Sequence, residues 1–124
     1  MNAGGTMDTA DLKDFALAEL ESRKLVDIRV LDLATLTDFA DYMVVASGQS
    51  RRQVVSAAEH LIEQAKHAHL PLIGSEGLDT GDWVLVDLAD VIVHVMLPET
   101  REFYRLEELW EVSPQRLVES TQQP

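Results

Sequence analysis

The stretch that most constrains this chain is WVLVDLADVIVHVM, residues 83–96: two apolar runs hinged on Ala89-Asp90. Side chains on a strand alternate faces, so a tight turn at 89–90 decides which residues lie together. With those two residues as the turn, Leu88 pairs with Val91, Val86 with Val93 and Val84 with Val95. That face is wholly aliphatic and belongs in a core. The other face carries Trp83 beside Met96, Leu85 beside His94 and Asp87 beside Ile92. A face mixing Trp, Met and Leu with a carboxylate and an imidazole makes a poor core and a good contact surface. A register slip of one residue would exchange the two faces and send Trp83 inward.

The rest of the chain supplies partners for this hairpin. Residues 9–23 place Leu12, Phe15, Ala16 and Leu20 at helical spacing, with Asp8 or Thr9 as N-cap. Residues 28–33 (IRVLDL) and 42–47 (YMVVAS) read as strands. Gly48 ends the second, and Ser50 can cap a helix running to about residue 69, with Val54, Ala58, Leu61, Ile62 and Ala65 on its inner stripe. Residues 70–73 are a third strand, and 74–82, with three glycines, an irregular loop. Pro98 opens a last helix over 99–110 that carries Phe103, Leu106, Leu109 and Trp110. The order predicts an α/β fold, a small mixed β-sheet flanked by helices. At 124 residues the chain is a single domain, placed at 8–112, with a flexible 1–7 extension and a polar 113–124 tail.

Charge narrows the function classes. Ten Lys and Arg against 22 Asp and Glu leave a net charge of −12. That field repels phosphate backbones, so direct binding to nucleic acid is not expected. Ten of the acids fall between Glu76 and Glu111, against only Arg101 and Arg105. Such a face either keeps the protein soluble or attracts a basic partner. There are no cysteines, so disulfides and thiolate metal sites are excluded. Neither a secretory signal nor the ~20-residue apolar run of a membrane span is present, and the chain is expected to be cytoplasmic.

Catalytic patterns are scarce. No GxGxxG, P-loop, GxSxG or HExxH motif occurs. His60, His67, His69 and His94 lack metal-ligand spacing and are expected at the surface. Asp38 and Asp41 could hold a divalent ion for nucleotidyl transfer, but acids just before a strand are ordinary turn residues. The Ser47-Gly48-Gln49-Ser50 junction could receive an anion, though a helix cap accounts for it more simply. No cofactor and no enzymatic activity are expected.

Three linked blocks then carry a more specific likeness. Residues 83–94 match W-x-x-x-D-x-G-D-V-x-V-H, apart from Ala89 where the pattern has Gly. Residues 101–110 (REFYRLEELW) match R-x-x-Y-x-L-E-x-L-W. Upstream, Thr37 to Val55 contains DYMVVASGQSRRQV, similar to a D-Y-hydrophobic-V-x-x-S-G-x-S-x-R-Q-V block. Together they resemble the ribosomal silencing factor (Iojap/YbeB) family over roughly residues 11–110. The resemblance implies a nucleotidyltransferase-like fold without the transferase motifs. It implies a translational repressor that binds the large ribosomal subunit through its conserved protein number fourteen and blocks joining of the small subunit when nutrients are short. A homodimer off the ribosome is implied as well. Carried over, the partner-binding residues are Trp83, Asp87, Leu88, Asp90, His94, Met96 and Tyr104. Beside this stand two other readings: a metal-dependent nucleotidyltransferase-like enzyme using Asp38 and Asp41, and a generic acidic adaptor for a basic protein. Ala89 matters locally, because a tight turn favours positive φ, which costs a residue with a Cβ about 1 kcal/mol.

Overall fold

The computed structural model describes residues 8–111, with side chains through residue 108. The expected 1–7 extension and 113–124 tail lie outside the described residues. Nine elements follow in order: α1 Thr9–Ser22, β1 Val26–Asp32, β2 Tyr42–Ser47, α2 Arg51–His67, β3 Gly74–Glu76, β4 Trp83–Asp87, β5 Val91–Met96, α3 Pro98–Tyr104 and α4 Leu106–Glu111. The strands form one mixed sheet in the order β1-β2-β5-β4-β3. Among the described residues only β2 and β5 pair parallel. They sit at the centre, and the near-continuous apolar strings YMVVAS and VIVHVM are buried on both faces, as central strands require.

The hairpin has the register predicted from its pattern: Val84 opposite Val95, Val86 opposite Val93, Leu85 opposite His94 and Trp83 opposite Met96. Leu88 N–H donates to the Val91 carbonyl at 3.0 Å, closing the turn. Ala89 takes φ +71, and its N–H is held by the Asp87 carboxylate at 2.9 Å. A side chain therefore stands where the backbone favours glycine, with an aspartate supporting the turn.

Helices α1 and α2 cover the aliphatic face. Leu12, Ala16 and Leu20 of α1 meet Val54, Ala58, Leu61 and Ala65 of α2 over Val44, Val84, Val86, Val93 and Val95. Both helices begin on predicted caps. The Asp8 carboxylate accepts the Asp11 N–H at 2.8 Å, and Ser50 Oγ accepts the Gln53 N–H at 3.1 Å. The Gln53 side chain takes the Gln49 N–H and donates to the Arg23 and Lys24 carbonyls, which ties the end of α1 to the start of α2. The Ser-Gly-x-Ser-x-x-Gln pattern thus does structural work here, as a helix cap.

Three expectations need correction. The third strand is not 70–73 but Gly74–Glu76, inside the expected loop; it pairs with β4 through backbone alone, so no apolar pattern marks it. The first strand begins earlier, at Val26, and carries a bulge between Val26 and Arg29 with Asp27 at φ +52. The last helix is two helices. Arg105 adopts φ 51, ψ 50, which ends α3 and turns the chain into α4.

Candidate functional site

The second sheet face carries the candidate site. Its centre is closed by Leu31, Leu33, Met43, Val45 and Met96, with Leu36, Trp83 and Leu106 packed at the margin. Trp83, the first residue of β4, stands where this small core meets solvent and is half-buried. Its indole N–H donates to His94 Nδ1 at 2.9 Å, from the neighbouring strand. On its other side the Tyr104 ring lies 4.8 Å away, tilted 50°, and Phe103 meets Tyr104 edge-on at 4.9 Å. Tyr104 is 53% and Phe103 79% exposed. Two shallow depressions flank the indole. One, of about 290 Å³, is lined by Asp82, Glu99, Thr100, Phe103 and Tyr104 besides Trp83; the other, about 320 Å³, by Glu76, Gly77 and Leu85. Amphipathic rings at a half-wet position rimmed by carboxylates suit the docking of another protein, not the enclosure of a small molecule.

The local sequence explains how the patch is held. Gly77 has φ +93, and a Cβ there would lie 2.0 Å from the Trp83 carbonyl oxygen, so only glycine lets the loop pass under the start of β4. The Leu97 N–H donates to the Asp82 carbonyl at 3.0 Å, which fixes the other flank. Arg101, on the inner side of α3, donates through Nε to Glu107 at 2.7 Å and through Nη1 to Ser47 Oγ at 2.8 Å. This clasp pins both short helices to the end of β2.

Burial acts on the protonation of two groups, and prevails at one. It pushes the His94 imidazole down to about 4, against an opposing pull from the Glu107 carboxylate. His94 is therefore neutral near pH 7, with Nδ1 free to accept. For Glu107, burial alone would raise the pKa. Hydrogen bonds from its own backbone N–H and from Arg101, with the charges of Arg101 and Arg29, outweigh that and hold it below the usual carboxylate value.

The predicted contact residues divide into three groups. Trp83 and Tyr104 come together, Trp83 half-buried and Tyr104 exposed. Asp87 is half-buried with its carboxylate on the turn, and Asp90 is exposed at the hairpin tip, where its carbonyl accepts the Asp41 and Tyr42 N–H groups. Four residues along β4 put Asp87 about 13 Å from Trp83, and the tip lies farther still. Leu88 and Met96 are corrections: both are fully buried, Leu88 in the core under α2 and Met96 beneath Trp83 and Leu106, and neither offers surface to a partner. His94 is a correction twice over. At 5% exposure it is neither a surface histidine nor a contact, and it serves the patch from below.

Phe103 was missed. In one continuous helix it falls on the inward stripe with Leu106, and only the break at Arg105 turns it outward. No glycine or proline signals that break. Among the other candidates, Asp38 is exposed and the Asp41 backbone is engaged with Leu33 and Asp90. His60 pairs with Glu19 at 2.7 Å, between α2 and α1. Among the described residues no three His, Asp or Glu side chains converge as a metal site needs, and no helix is long and apolar enough to cross a membrane.

Comparison with known proteins agrees with this architecture. The family model described as "Ribosomal silencing factor during starvation" matches residues 6–124. The ribosomal silencing factor RsfS of Chromobacterium violaceum is 43% identical over 104 residues, covering 84% of this chain and 85% of that one. The mouse protein named "Mitochondrial assembly of ribosomal large subunit protein 1" is 36% identical over 100 residues, 78% of this chain and 44% of its own length. A crystal structure of a C. violaceum protein superposes with TM-score 0.83 at 42% identity, covering 86% of this chain and 89% of that chain. With most of its length matched by family, sequence and fold alike, this chain belongs to the ribosomal silencing factor family.

Proposed function

We propose that this protein is a cytoplasmic translational repressor that docks on the large ribosomal subunit, at its conserved protein number fourteen, and blocks the small subunit from joining. The observation that carries the reading is the Trp83–Tyr104–Phe103 patch. It is a contiguous run of rings, more than half exposed at two members, beside Glu99 and the Arg51-paired Asp82. Aromatic anchors ringed by polar groups are the usual hot-spot composition of a protein interface. The net charge of −12 favours a basic partner and speeds its encounter. Family membership and the large-subunit name of the mouse relative point the patch at the ribosome. Blocking subunit association requires only occupancy, so the reading needs no catalytic group. Off the ribosome the same apolar patch would be covered in a homodimer.

Sedimentation tests this directly. Purified subunits mixed with the protein are run on a sucrose gradient under conditions that favour association. Comigration with the large subunit and a reduced joined peak are expected. A protein that stays at the top while the subunits join normally overturns the reading.

A further inference from the structure

The Trp83 ring is tied to the interior by its indole hydrogen bond, and the tie runs to a histidine buried without any surface role. We propose that His94 is a positioning residue for docking: its unprotonated Nδ1 fixes the rotamer of Trp83 in the orientation that the ribosomal partner meets. The inference rests on the docking reading above and adds a residue that does not itself touch the partner.

The chemistry supports a dedicated role. Nδ1 accepts from the indole, so the neutral ring carries its proton on Nε2. An imidazole in this small aliphatic core costs desolvation that a leucine would not. What the imidazole contributes in return is one acceptor, aimed at the one indole N–H that would otherwise point into the apolar margin. Without it the indole has more freedom about χ1 and χ2, since the ring on its far side, Tyr104, is itself half-exposed. Holding a hot-spot side chain in its bound rotamer removes an ordering cost from association. Burial keeps the acceptor unprotonated, even though the Glu107 carboxylate pulls the other way and the Arg101 guanidinium holds that carboxylate. An exposed histidine would begin to lose its acceptor near neutral pH. Docking should therefore be flat between about pH 6 and 8 as far as this group is concerned.

The test uses the full chain and purified large subunits. Three variants separate positioning from bulk: Trp83→Phe keeps a ring without the N–H, His94→Leu keeps volume without the acceptor, and His94→Asn restores an acceptor close to the Nδ1 position. Trp83→Phe and His94→Leu should each weaken binding about tenfold, their combination no further than either alone, and His94→Asn should recover most of the loss. The indole ¹H–¹⁵N resonance of Trp83 reports the bond independently and should shift in His94→Leu but not in His94→Asn, with thermal melts confirming that each variant is folded. The proposal is overturned if Trp83→Phe binds like the unmodified protein, if the two single losses multiply, or if His94→Asn is no better than His94→Leu. Failure of the docking reading looks different: the unmodified protein then ignores the large subunit while the Trp83 resonance still responds to His94. That result removes the proposal together with the reading.

Discussion

Arg101 and Glu107 meet at 2.7 Å with 11% of each side chain exposed, one on α3 and the other on α4, across the left-handed residue Arg105. The pair closes the hinge between the two short helices, and through Ser47 it fastens them to the sheet beside Trp83. Because α3 carries Phe103 and Tyr104, the ion pair positions most of the exposed aromatic surface.

Breaking one side of this pair should cost more than an exposed salt bridge does. Arg101→Met leaves the Glu107 carboxylate buried without its charged donor, and unfolding in urea should show a loss of about 3 kcal/mol. Exposed pairs such as Arg105 with Glu102 are worth less than about 1 kcal/mol. A loss below that level for Arg101→Met would mean that water solvates Glu107 and that the clasp is incidental.

The hairpin tip invites a gain instead. Ala89 sits at φ +71, where a Cβ costs about 1–2 kcal/mol, while glycine returns part of that through the entropy of the unfolded chain. Ala89→Gly should therefore stabilise by up to about 1 kcal/mol and raise Tm by about 4 °C. The Asp87–Ala89 amide hydrogen bond is unaffected by this change. A lower Tm would show that the methyl group makes packing contacts that outweigh its strain.

These two residues also mark what sequence can and cannot disclose. The pairing of residues 83–88 with 91–96 was legible as period-2 alternation about a turn at Ala89-Asp90, but the pattern alone left room for a one-residue slip that sends Trp83 inward; the observed register excludes it. The two long helices followed from their stripes and from the Asp8 and Ser50 caps. β3 was hidden because Gly-Ser-Glu pairs through its backbone and carries no apolar signal. The α3–α4 break was hidden because Arg105 supplies a left-handed φ that arginine does not advertise. That break decided the site: it moved Phe103 outward and let Arg101 reach Glu107. Which half of the mixed sheet face is covered depended on β1, Leu36 and Leu106 arriving from afar, so the burial of His94 and Met96 was not readable from the hairpin alone.

His94 should make stability fall in mild acid. The unfolded chain binds a proton at His94 below about pH 6.5, whereas the folded chain resists it down to about 4. The contribution is fully present above 6.5 and is lost as pH falls through that window, totalling about 3 kcal/mol by proton linkage. Glu107, with its lowered pKa, acts in the same direction at still lower pH. Urea midpoints measured from pH 7.5 to 4.5 should decline, and His94→Asn should flatten the slope in that range. An unchanged slope would assign the acid sensitivity to other groups.

Phe103 offers the cleanest separation of interface from core. Its side chain is 79% exposed and meets Tyr104 only edge-on, so Phe103→Ala should leave stability within about 0.5 kcal/mol. If the patch is the docking surface, the same change should weaken binding to large subunits by about 1–2 kcal/mol, a factor of roughly 5 to 30. Leu88→Ala should do the reverse, lowering stability by about 3 kcal/mol through the cavity it leaves while affecting binding only by way of the unfolded fraction. Added salt should weaken binding of the unmodified protein, since Glu99 at the rim and the net charge of −12 act through screened charge. A Phe103→Ala protein that binds normally would place the ribosomal contact elsewhere, and the exposed Asp90 at the far tip of the hairpin is the next position to substitute.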